Sequence, residues 1–227
     1  MDVIVLAGGM GTRLKDAVPD VPKPMAPVKN KPFLEYLFNW LSQCPAIDRI
    51  IVATGYKSET IIEYFDRSFK GIPIIYVHEM EPLGTGGAIA NALKSCISEQ
   101  VLIVNGDTYF PIDTIRFKEF HERINKPVSI ALKKMYRFDR YGTVEIAEGT
   151  IMKFNEKTAC EEGLINGGIY LLNQNWFETQ RFPDKFSFEK DILEYYVSQQ
   201  LLGGKIFDDE FVDIGIPDDY IKAASIV

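Results

Sequence analysis

The sequence is poor in cysteine and histidine and has no long apolar run. Cys44, Cys96 and Cys160 lie far apart, are odd in number and never form a C-x-x-C pair. Neither a disulfide framework nor a structural zinc site is therefore expected. His78 and His121 have no partner at metal-ligand or triad spacing, and no G-x-S-x-G elbow occurs. No stretch approaches the ~18 apolar residues of a membrane span. No charged and apolar leader opens the chain either, so a cytoplasmic location is the expectation. Positive charge is also scarce: 25 Lys and Arg stand against 32 Asp and Glu, a net charge of −7. That balance argues against nucleic acid or an anionic membrane surface as the main partner. An anionic substrate would have to be met by local cations.

Such cations stand near the start. At 227 residues, 46% apolar and 25% charged, the chain suits one α/β domain with a substantial core. Its densest signal is DVIVLAGGMGTRLKDAVPDVPKPMAPV, residues 2–28. Val3 to Leu6 has the aliphatic, β-branched pattern of a buried strand. Gly8, Gly9 and Gly11 follow, and glycines after a strand leave backbone N–H groups free to face an anion. Thr12 and Arg13 come next, and the Arg13 fork suits phosphate oxygens. Lys23, held between Pro22 and Pro24, adds a second cation whose backbone is fixed. A glycine turn with solvated cations is the bland alternative, but the combination reads as a phosphate cradle. It is neither the dinucleotide fingerprint, which needs a third glycine at Leu14, nor a Walker A loop, which needs Gly-Lys-Ser/Thr.

Helix and strand patterns then alternate. Helices are expected over 33–41 and 58–65, the latter with Ile61, Ile62 and Phe65 inward, and strands over 49–53 and 72–77. Glu79-Met-Glu-Pro-Leu-Gly84-Thr85-Gly-Gly opens a helix running to about Cys96, and its glycines would admit a ligand to the backbone or simply pack tightly. A strand over 100–104 ends in Asn105-Gly106-Asp107, placing a carboxylate where parallel sheets gather ligands. Near a triphosphate it would suit Mg²⁺; otherwise it is a turn. After a helix at 118–124, strands follow over 128–133, 143–146, 150–154 and 166–172. A helix over 187–199, a strand over 205–207 and a last helix from Pro217 complete the chain. The expected fold is α/β: a Rossmann-like, mostly parallel sheet flanked by helices, with a smaller β-rich lobe. The whole chain forms one domain, its nucleotide part about 1–125 and its second part about 126–227.

LAGGMGTRL followed by VPKPMAPV resembles the signature of the sugar-1-phosphate nucleotidyltransferases, and the likeness extends over nearly the whole chain. The resemblance implies a nucleoside triphosphate bound by Leu6, Ala7, Gly8, Gly9, Gly11, Thr12, Arg13, Lys23, Glu79, Gly84 and Thr85. It implies Mg²⁺ held by Asp107 and by Asp213 of the FVDIG segment, where Phe211 stands in place of a frequent Trp. Three later motifs, Tyr141-Gly142, Glu156-Lys157 and Asn166-Gly-Gly-Ile-Tyr170, resemble the family's sugar-phosphate elements. They imply that Gly142, Glu156, Lys157 and Asn166 hold the sugar phosphate, although Thr158 replaces the proline that often follows the Glu-Lys pair. Arg13, Lys23 and Asp107 would carry catalysis, with a sugar-phosphate oxygen displacing pyrophosphate from the triphosphate. PLGTGGA and the short chain are most similar to the D-glycero-D-manno-heptose 1-phosphate guanylyltransferase branch. A mannose- or glucose-1-phosphate enzyme using another base, and a non-catalytic nucleotide-sugar sensor, are the alternatives. A homo-oligomer is compatible with the sequence.

Overall fold

In a computed structural model, which describes residues 1–9, 18 and 21–227, a ten-stranded sheet carries the fold. The chain begins with β1 (Asp2–Leu6), α1 (Phe33–Leu41), β2 (Arg49–Thr54), α2 (Ser58–Phe65) and β3 (Ile72–His78). It continues through α3 (Gly84–Leu93), β4 (Gln100–Asn105) and α4 (Thr114–Ile124). These strands lie in the order β4-β1-β2-β3, all parallel, with Val5 opposite both Val52 and Val104. A parallel sheet needs cover on both faces, and alternation along β1 supplies it. Val3 and Val5 pack with Leu34, Leu37 and Phe38 of α1, while Ile4 packs with Ile89 and Leu93 of α3.

The second half is a run of strands of which the middle two form a hairpin: β5 (Val128–Phe138), β6 (Gly142–Ala147), β7 (Thr150–Lys157) and β8 (Cys160–Asn173). After α5 (Gln174–Thr179) come β9 (Leu202–Phe207) and α6 (Pro217–Ile226). The smaller β-rich lobe is not a sheet of its own. β8 runs antiparallel to β4, Ile169 facing Val104 and Leu171 facing Leu102, and on its other side pairs with β5. The sheet is thus mixed, parallel through β1 to β4 apart from the short edge strand Ser68–Phe69, which runs antiparallel to β3, and largely antiparallel beyond them.

Several expected boundaries move. Ile62 is 41% exposed; in a helix of eight residues the inward stripe is taken by Ile61 and Phe65, four apart. α4 starts a turn early because the Asp113 side chain accepts hydrogen bonds from the Ile115 and Arg116 N–H groups. The helix expected over 187–199 breaks into a π-helical turn, Phe188–Leu193, one α turn and a 3₁₀ turn. His121 is buried and structural, its ring bridging Ser129 and Asn173; burial pulls its pKa down.

Candidate active site

The strands β1, β2, β3 and β4 end on one side of the sheet, where open α/β folds place ligands. A cavity of about 500 Å³ lies there, lined among others by Leu6, Ala7, Gly8, Gly9, Lys23 and Glu79. Gly84, Thr85, Asp107 and Asp213 complete the set that the sequence points to. Gly11, Thr12 and Arg13 fall outside the described residues. Pro24, Ala53, Pro82, Ala88, Asn105, Glu189 and Gly215 also line the cavity and were not foreseen. Most are small or apolar wall residues with no chemical signature.

Among the described residues that line it, Lys23 is the cation. Its Nζ lies 2.5 Å from Asp107 Oδ2 and 3.7 Å from Asp213 Oδ1. Chain geometry brings the two carboxylates together. Thr108–Tyr109 and Val212–Asp213 form a two-stranded antiparallel ladder in which Asp213 faces Thr108, and Ile214 N–H donates to the Asp107 carbonyl. Burial, and then the like charge of Asp107, push the Asp213 carboxyl above its usual range, against Lys23. Asp213 Oδ1 is buried with no hydrogen-bond partner among the described residues. Two converging carboxylates, one with an orphaned oxygen, are a donor set that fits a hard divalent cation. Among the described residues no larger metal-ligating group occurs.

Glu79 faces the cavity from the other end. Its Oε2 accepts from the Leu83 N–H at 3.2 Å, and burial raises its pKa. A half-buried carboxylate with no ion-pair partner among the described residues is suited to external N–H donors. Of the two uses the sequence leaves open for the neighbouring glycines, tight packing is the one the contacts bear out, while Gly84 also lines the cavity. Gly84 has φ +74°, and a Cβ there would lie 2.5 Å from the Phe186 carbonyl oxygen, while one on Gly86 would meet the Phe186 ring. The Gly86 N–H donates to that same carbonyl at 3.0 Å. The close approach at these glycines is made by the protein's own chain at Phe186.

The four residues read as the sugar-phosphate group do not line the cavity. Glu156 and Lys157 stand exposed at the end of β7. Gly142 pairs with Lys157, and the close approach it permits is that of the Asn155 carbonyl across the hairpin. The Asn166 amide is occupied within the protein, accepting from the Gly168 N–H and donating to the Tyr170 hydroxyl. The group is nonetheless tied to the centre, since the phenol of Tyr141, next to Gly142, is pushed up in pKa by burial and then by the charge of Asp213.

Comparison with known proteins agrees with this geometry. The pattern of the nucleotidyl transferase family matches residues 2–227. The chain belongs to that family. It is 48% identical to D-glycero-alpha-D-manno-heptose 1-phosphate guanylyltransferase of Aneurinibacillus thermoaerophilus, over 98% of this chain and 96% of that one. With the protein of the same name from Campylobacter jejuni subsp. jejuni serotype O:2 the identity is 47%, over 97% of each. The crystal structure of HddC from Yersinia pseudotuberculosis complexed with GMP-PN superposes with a TM-score of 0.85 at 36% identity. That match covers 99% of this chain and 98% of HddC. The resemblance to sugar-1-phosphate nucleotidyltransferases, and the fold it implied, are borne out.

Proposed function

We propose that this nucleotidyltransferase moves a guanylyl group from GTP to D-glycero-D-manno-heptose 1-phosphate in the cytoplasm, releasing pyrophosphate. The observation that carries the reading is one cavity with Lys23, Asp107 and Asp213 at one end and Glu79 at the other. Guanine presents two adjacent N–H donors that one carboxylate can accept together, whereas uracil and thymine flank their single N–H with carbonyls that a carboxylate repels. Glu79 thus favours guanine, in keeping with relatives named guanylyltransferases.

The reaction asks for positioning and charge neutralisation. The attacking phosphate oxygen is already anionic, so no general base is needed. Lys23 grips phosphate at the reacting centre, while Arg13 and the amides of Gly8, Gly9 and Gly11 hold the β- and γ-phosphates. Asp107 and Asp213 would hold Mg²⁺, which when bound offsets the charge that builds on the phosphate oxygens. Lys157, with Glu156, Gly142 and Asn166, would orient the sugar phosphate from outside the residues that line the cavity.

The test is pyrophosphate release across four nucleoside triphosphates crossed with heptose, mannose and glucose 1-phosphates, with Mg²⁺. Signal confined to GTP and the heptose phosphate is the expected result. Signal with another pair keeps the chemistry and overturns the substrates. Silence throughout favours a nucleotide-sugar sensor.

A further inference from the structure

Of the charged side chains lining the cavity, Glu189 has no part in the reaction as described. It stands on the π-helical turn Phe188–Leu193, a wide turn that recurs at functional sites. Two hydroxyls aim its carboxylate. Thr85 Oγ1 donates to Glu189 Oε2 at 2.6 Å, and Ser187 Oγ donates to the same oxygen at 2.9 Å. Thr85 Oγ1 is itself fixed by accepting the Phe188 N–H at 2.9 Å. Both bonds fall on Oε2, and among the described residues neither a hydrogen bond nor a salt bridge reaches Oε1.

An unneutralised carboxylate repels the phosphates this cavity is built to hold, so its counterpart must be a neutral donor. Its position narrows the choice. Thr85 is adjacent to Gly84 at the Glu79 end, whereas the Tyr170 phenol senses Glu189 and Asp107 together. Glu189 therefore lies between the base end and the reacting end. The groups spanning that interval in a nucleotide and a sugar phosphate are furanose or pyranose rings, whose hydroxyls donate. We infer that Glu189 is a substrate-binding residue whose free carboxylate oxygen accepts a ring hydroxyl and so fixes the ring's orientation. The hydroxyl belongs either to the ribose of the triphosphate or to the sugar of the 1-phosphate.

The inference rests on the nucleotidyl-transfer reading, and Glu189→Gln tests it with minimal change of shape. The KM of each substrate, kcat and the melting temperature are measured for wild type and variant, with GTP, 2′-deoxy-GTP and 3′-deoxy-GTP. A hydrogen bond to a charged group predicts a rise of about 10-fold or more in one KM, with kcat changed by less than about 3-fold and the melting temperature unmoved. If the ribose is the donor, KM for GTP rises, and one deoxy nucleotide no longer distinguishes wild type from variant. If the sugar is the donor, its KM rises and each deoxy nucleotide costs both proteins equally. Unchanged KM values overturn the inference, as does a joint fall of kcat and melting temperature, the mark of a residue that only holds the π-turn. Should Glu189→Gln fail to fold, Thr85→Val keeps the carboxylate but loosens it, and a smaller rise in the same KM is expected. Calorimetric binding of GTP against its deoxy forms reads Glu189 even without turnover. Silence of the wild type in the pyrophosphate assay strikes the functional reading alone.

Discussion

Two aspartates at opposite ends of the sheet, Asp2 buried and Asp213 half-buried, show how a closed shell of partners differs from an open one. Asp2, at the start of β1, is completely buried. Its carboxylate accepts from Arg49 Nε at 2.9 Å and Arg49 Nη2 at 2.7 Å. It also accepts the N–H groups of Ile97 and Ser98 at 2.6 and 3.1 Å. Burial alone would raise its pKa, but the Arg49 bonds and the two amides outweigh that and leave it lowered. At the carboxyl ends of the strands, Asp213 keeps an oxygen with no hydrogen-bond partner among the described residues and has a raised pKa. The closed shell at one end stabilises the fold, and the incomplete shell at the other is what the proposed divalent cation would complete.

The contrast can be broken by exchange of single groups. Asp107→Ala should lower turnover at least ~10³-fold, about 4 kcal/mol of transition-state stabilisation, with a melting curve close to wild type. Wild-type-like turnover would put the reacting centre elsewhere. Asp2→Ala should do the reverse. Stranding Arg49 and the two amides costs about 3 kcal/mol of stability in urea titrations, with turnover kept at temperatures where the protein stays folded. Gly86→Ala, which drives a methyl into Phe186, should cost about 1–3 kcal/mol, and less than that when introduced into a Phe186→Ala background, as a double-mutant cycle would read.

Asp213→Asn has the smallest expected effect on stability and sharpens the comparison by pH. A raised folded pKa means that the wild type loses stability as pH rises through that pKa. The amide removes the loss, so at pH 7 the melting temperature should rise by up to ~3 °C, about 1 kcal/mol for a chain of this size, while turnover falls. Asp2 has the opposite sign. Its lowered pKa contributes stability that disappears as pH falls through the folded value, and Asp2→Asn should flatten the acid limb of the melting profile.

The periodicity of the first half made its parallel strands legible, because each βα unit buries a continuous apolar run. The continuity of the sheet across β4 and β8 was not, since hairpin strands do not announce their partners. Lys23 and Asp107 could be found because each sits inside a local motif. Glu189 could not, as its partner Thr85 is 104 residues away and no local pattern links them. The glycines at 84–87 were recognised as a place of close approach, but sequence does not say what approaches, and Phe186 does.

The unbroken ladder between β4 and β8 also limits how the protein can move. A cleft between two lobes usually closes by a hinge in the connecting segments. Here the two halves share one run of backbone hydrogen bonds, Ile169 to Asn173 against Val104 to Gln100, and rocking them apart would shear it. Substrate capture must therefore come from loops carried on a rigid platform. In amide exchange, β4 and β8 should be equally slow with and without nucleotide, and ligand-dependent protection should be confined to the segments around the strand ends.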